Sequence, residues 1–208
     1  ESLDKIVKAK LDSVGNKPFE QNLGFTFNVT ELEDYTAINR YFGQTVDKEG
    51  WFGVKLNQKQ PKTIMGVDLR KTSFELVMDV PYSGKFKFNK DESEIENMES
   101  LVYVNTLSFG RRMFALVESE LDVSIVRPVI NKLAQQKDLT EEDAAVIANC
   151  KFSIANLTGE ELAIDLENPL KAAVDFVGQN ITTQNYGVPI SFSASNIHNN
   201  GGFENQFD

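Results

Sequence analysis

Few residues in this sequence could do covalent or acid–base chemistry. Cys150 is its one cysteine and His198 its one histidine. A thiol nucleophile at Cys150 would need His198 as its base, and no third group is evident to orient that base. One thiol and one imidazole also fall short of an ordinary zinc site, and a lone cysteine excludes an internal disulfide framework. The paired acids Glu141/Glu142 and Glu160/Glu161 are sequence neighbours, so on a helix they diverge instead of facing each other across a substrate. In the acidic run 89–99, Glu94 stands where a calcium loop requires glycine. No catalytic centre, metal site or cofactor is expected, and the chain is not expected to be an enzyme.

The composition points the same way. Asp and Glu number 31 against 21 Lys and Arg, a net charge of −10. The acidic excess extends over both halves, which disfavours nucleic acid or an anionic lipid surface as an electrostatic partner. With 41% apolar and 25% charged residues, the chain can bury a core as one large domain or two small ones. It contains no apolar window of 18 residues, so no conventional transmembrane helix is expected. It opens at Glu1 without an initiator Met or a leader, and the expectation is a fragment or a chain whose targeting segment has been removed.

The elements that would have to carry any function follow from periodicity. Leu3, Ile6, Val7, Leu11 and Val14 predict an amphipathic helix stopped by Gly15 and Pro18. A strand is expected at Phe25–Val29 and a helix from Glu31 to Tyr41, ending near Gly43. From Trp51 the pattern alternates, with Phe52, Val54 and Leu56 against Gly53, Lys55 and Asn57. A polar tip at 58–62 interrupts it, and it resumes with Phe74, Leu76, Met78 and Val80 against Glu75 and Asp79. The register slips at Val67 and Leu69, so a bulge is needed near Lys71–Ser73. The 30 residues 51–80 supply two arms of about ten, the length that crosses a bilayer as a β-hairpin. A half-buried soluble hairpin would alternate in the same way.

Further along, one long bulged strand is expected around Phe109-Gly110-Arg111. Helices are expected at 125–133 and 140–147, the second capped by Thr140 with acids behind it. A strand from Lys151, a helix from Pro169 and a strand from Gly187 complete the chain, and the Asn- and Gly-rich tail 199–208 is expected to be poorly ordered. No Gly-rich phosphate loop follows any strand, and several strands have clear period-2 faces. The fold class is therefore α+β: a twisted antiparallel sheet of four to five strands flanked by helical clusters, within residues 1–198.

Residues 42–80 resemble the first membrane-hairpin region of the cholesterol-dependent (thiol-activated) cytolysins. Matches continue in the family's order with Tyr103–Lys132, where Phe109-Gly110-Arg111 stands for Tyr-Gly-Arg, then Asn149–Phe152 and Val188–Phe192. The resemblance implies a cytolysin-like core from a secreted or cell-surface pore-forming toxin. In this family monomers dock on membrane lipid, form a homo-oligomeric ring and refold two helical clusters into transmembrane β-hairpins. It places the hairpins at 51–80 and 124–152, with Phe52, Val54, Leu56, Phe74, Leu76, Met78 and Val80 facing lipid. It further implies an inter-subunit aromatic stack between Phe27 and Phe152. The strand that guards the sheet edge would swing at Gly159, where the family has two glycines. The family binds cholesterol through a C-terminal β-sandwich with a Trp- and Cys-bearing loop. Trp51 and Cys150 are not that loop, so cholesterol binding is expected of a longer parent and not of these residues. The alternative reading is a receptor-less partner that co-assembles with a full-length cytolysin.

Overall fold

A computed structural model of the chain describes residues 3–15, 17, 24–43, 45–55, 59–78, 97, 100–158 and 168–204. Its framework is an antiparallel sheet of β1 (Phe25–Glu31), β2 (Thr63–Val77), β3 (Val102–Ser119), β4 (Cys150–Asn156), β5 (Val188–Asn196) and β6 (Gly202–Phe203). β1 pairs with β2, and β2 with β3. The other side of β3 is shared: its C-terminal half pairs with β4, its N-terminal half with β5. The α+β class and the antiparallel sheet are as the sequence predicts.

Two helical clusters cover opposite faces of β1–β4. A 3-10 turn at Tyr35–Ala37, α2 (Ile38–Phe42) and α3 (Lys48–Phe52) lie on one face; α4 (Val123–Ala134), α5 (Glu141–Ala148) and α6 (Pro169–Gly178) lie on the other. The strand period sorts the core between them. Met65, Val67, Leu69, Met113, Ala115 and Val117 point to α4–α6. Ile64, Phe114, Leu116 and Ala155 point to the α2–α3 side, where Phe42 stacks on Phe114 at 4.0 Å. Both faces are apolar, so neither cover can be absent without exposing core to water. The N-terminal helix α1 (Leu3–Asp12) ends before Gly15, as its spacing predicts.

The segment 51–80 is where expectation and structure part. Its described residues form neither a helical cluster nor a hairpin: Trp51 and Phe52 end α3, and residues 63–77 are one core strand. The apparent alternation at Phe52, Val54 and Leu56 hides two helix signals. Asp47 caps α3 by accepting from Gly50 N at 2.9 Å, and Gly53 closes it at φ 64°. Residues 63–67 are buried on both faces, and such a strand has no alternation to read. The expected slip is present, since the β2–β3 register shifts between Thr72 and Phe74. The tail also differs from expectation, because β6 pairs with Ala194 and Ser195. Residues 205–208 lie outside the described residues.

Phe109-Gly110-Arg111 sits where β3 changes partner. Phe109 stacks on Phe74 at 4.8 Å, and Ser73 Oγ donates to Phe109 O at 2.9 Å and Tyr186 O at 2.7 Å. A Cβ on Gly110 would lie 2.0 Å from Lys71 O, a backbone atom that cannot yield. Gly110→Ala should therefore cost about 2 kcal/mol or more of unfolding free energy in urea. A change below about 0.5 kcal/mol, the range of ordinary surface substitutions, would contradict this packing.

Candidate functional site

The feature with mechanical potential is the end of the sheet from which both covers leave. Thr63 of β2, Ser119 of β3 and Cys150 of β4 stand in one ladder row, and Glu31 ends β1 opposite Met65. Residues 32–62 part β1 from β2 and residues 120–149 part β3 from β4, intervals of 31 and 30 residues. Two insertions of nearly equal length thus leave from the same end of four adjacent strands and fold back onto opposite faces.

The covers are fastened differently. On the α2–α3 side one tie is buried. The Tyr35 hydroxyl donates to Oε1 of Glu118, which is 7% exposed, and Lys151 Nζ donates to Glu118 Oε2 at 2.8 Å. The Tyr41 ring lies against Gly66, where any Cβ would be 2.3 Å from it, and its hydroxyl donates to Asn28 O at 2.7 Å. Burial, followed by the nearby Asp68 charge, pushes the Tyr41 phenol well above its ordinary pKa. Beside it Arg112 holds Asp68 through Nε at 3.0 Å and Nη2 at 2.7 Å, a two-point charge-assisted bond.

On the other face α4 and α5 are held by apolar packing and by ion pairs at the rim. Lys62 meets Asp122 at 3.2 Å and Arg127 meets Glu31 at 3.0 Å. Asp122 caps α4 by accepting from Ser124 N at 3.0 Å. The capping box expected at Thr140 is complete: Thr140 Oγ1 accepts from Asp143 N, and Asp143 Oδ2 accepts from Thr140 N. Lys132 Nζ joins Asp143 at 2.8 Å and so links the two helices.

Phe27 and Phe152 lie on β1 and β4, the outer strands at this end of the sheet, half-buried on the face that meets α4–α6. They do not touch within one chain, being four ladder rows apart on strands separated by β2 and β3. The five described of the seven positions expected to face lipid do not form one surface. Phe52 and Val54 are buried under the α2–α3 cover, while Phe74, Leu76 and Met78 lie at the far end of β2. Leu56, Val80 and the expected hinge Gly159 fall outside the described residues, as does the acidic run 89–96. The segment 124–152 spans α4, α5 and the start of β4.

Cys150 and His198 stand at opposite ends of β3, beside Ser119 and just beyond the residue paired with Val102. Burial raises the Cys150 pKa, opposite to the shift an activated thiol needs. Among the described residues no cluster of three or more His, Cys, Asp or Glu could hold a metal, and no helix is long and apolar enough to cross a membrane. The residues that sequence reasoning missed are Tyr35, Tyr41 and Glu118. A lone Glu inside the apolar run Met113–Ser119 is the one visible signal.

No family model and no curated protein matches the sequence. The fold does have solved counterparts. The human-specific toxin intermedilysin aligns with a TM-score of 0.66 and 18% identity over 96% of this chain and 46% of that one. Wild-type pneumolysin aligns at 0.72 and 16% over 97% and 46%, and the cytotoxin suilysin of Streptococcus suis at 0.68 and 16% over 95% and 46%. These neighbours are cholesterol-dependent cytolysins, so the chain has the fold of a pore-forming cytolysin core and spans about half of their length.

Two outcomes follow from the fastenings. Tyr35→Phe removes a donor from a buried carboxylate and should cost about 1–3 kcal/mol in denaturant unfolding; no measurable loss would deny the tie its role. The second concerns acid. The Ser124 backbone and side-chain hydrogen bonds hold Asp122 at about 2, and the Lys132 ammonium holds Asp143 below its ordinary value. Both carboxyls have a lower pKa folded than unfolded, so their stabilisation is complete above the unfolded value of about 4 and is lost as pH falls toward 2. Amide exchange of 123–148, corrected for its intrinsic pH dependence, should hold steady from pH 7 to 5 and accelerate between pH 4 and 2. Acceleration already complete by pH 5 would contradict the assignment.

Proposed function

We propose that the chain is the core of a secreted pore-forming protein, without catalytic activity, that assembles on a target membrane and converts both covers into β-hairpins. One observation carries this reading: residues 32–62 and 120–149 leave the same end of β1–β4. Drawn out as strands, they extend all four strands in one direction as a continuous wall. About 30 residues give two arms longer than the 9–11 a bilayer requires. The expected hairpin at 51–80 thereby moves to 32–62, and 124–152 widens slightly to 120–149.

The covers are built from helices that cannot persist alone. α2 and α3 have five residues each and α5 has eight, far below the length at which an isolated helix is stable in water. Pro128 lies inside α4 and deletes one of its backbone hydrogen bonds. Their structure depends on contact with the sheet, and detachment removes it. Phe27 and Phe152, on opposite edges, would meet between neighbouring subunits in a ring, where an aromatic pair adds about 0.5–1.5 kcal/mol.

A second reading is favoured by residues 55–62, where Lys55, Lys59 and Lys62 leave Leu56 as the one large apolar side chain. An arm facing lipid needs an apolar residue at every second position. On this reading the chain lends its sheet to a mixed ring with a lytic relative; adding it to that relative on liposomes should then change leakage, and a bystander would not.

The main reading is tested on the parent protein with Cys150→Ser, Glu31→Cys and Arg127→Cys, the two new thiols joined by a bis-maleimide with a reducible disulfide. Dye release from liposomes should be blocked while the link is closed and restored on reduction. Full-rate release with the link closed contradicts the proposal.

A further inference from the structure

We infer that Lys71 and Arg111 are positioning residues that clamp α6 to the sheet, making it the fixed part against which the other helices move. The inference rests on the movable-cover reading above and divides the α4–α6 layer into a mobile and a static portion. Lys71 stands directly opposite Arg111 across the β2–β3 ladder, and the two are 5% and 1% exposed. Two like charges facing each other in a core are unfavourable unless negative groups meet both.

The C-terminal end of α6 supplies such groups to both. Lys71 Nζ donates to Gly178 O at 2.8 Å and to Gln179 O at 3.0 Å. Arg111 Nη1 donates to Phe176 O at 3.4 Å, and its guanidinium lies 5.0 Å from the centre of the Phe176 ring. The last carbonyls of a helix have no partner within it and carry the negative end of its dipole. Burial first, and then the Arg111 charge, lowers the Lys71 pKa, as two cations confined together require. Lifting α6 would strip these acceptors from two buried cations that face each other. Lifting α4 gives up apolar contacts, but the ion pairs it parts lie at the rim, where water solvates them at little cost. The clamp also adjoins Gly110, where β3 changes partner, so α6 braces the sheet at its branch point.

The test is amide hydrogen exchange by mass spectrometry on the 208-residue chain and on Lys71→Met and Arg111→Met. In the unaltered chain, 169–178 should exchange about tenfold or more slowly than 123–134, a difference that separate local openings produce. Each variant should speed 169–178 about tenfold while 25–31 and 38–52 keep their rates. A variant that only lowered global stability would instead speed all segments together, and that result overturns the clamp. So does an unaltered chain in which α6 and α4 exchange at one rate well above that of 25–31. If α4, α5 and α6 all exchange as slowly as 25–31, the movable-cover reading fails, and the variants still decide the clamp. Should Arg111→Met not fold, Lys71→Met and the unaltered chain are enough to uphold or overturn the clamp.

Discussion

A sheet that is apolar on both faces must be covered on both, and here the chain that covers it is the chain that joins its strands. Leu116 and Phe114 face one cover, and Val117, Ala115 and Met113 face the other. The covers are not separate layers that could be lost independently. Each is the connection between two neighbouring strands, leaving from the same end of the sheet. Apolar burial therefore stabilises the compact form, and the connectivity is what would let the same residues lengthen the same strands under the proposed function. On that proposal, the form that prevails would depend on what lies beside the sheet: its own helices in water, or lipid and neighbouring subunits in an assembly.

The fastenings grade this balance. The α2–α3 cover is anchored by Tyr35, which cannot leave without taking a donor from buried Glu118, and by Tyr41, whose ring packs on Gly66. The α4–α5 cover relies on apolar contact and rim charges, so its release asks less of buried polar groups. Lys71 and Arg111 hold α6 in place by a third means, using helix carbonyls to neutralise a like-charge pair. Under the proposed function these fastenings would release α4–α5 before α2–α3, with α6 remaining.

Much of this is legible in the sequence where local chemistry and tertiary role agree. Thr140 followed by acids marks the start of α5, Pro169 that of α6, and glycine within a β-rich run marks the irregularity at Gly110. The slip near Lys71–Ser73 is visible because one extra residue reverses every later side chain. Residues 51–80 mislead because α3 is too short to show a helical period, and its Phe52 and the following Val54 imitate a strand. The two-sided burial of 63–67 removes the alternation that would mark a core strand. The polar ties are out of reach of sequence: Tyr35 and Glu118 are 83 positions apart and meet only through the fold. The family resemblance leads to the right fold, while the alternating residues 63–77 on which it places the second arm of the first hairpin form strand β2 here, so the proposed function shifts that hairpin to the connection before it.

The most direct measurement of the central claim is a cysteine scan of 120–149 in the parent protein. An environment-sensitive dye is placed at successive positions and read before and after assembly on liposomes. The account predicts that in solution the emission follows the helical faces of α4 and α5. On the membrane it should alternate with a period of two along each arm, as in a strand with one face in lipid and one in water. A helical period retained on membranes where the parent releases dye would contradict it.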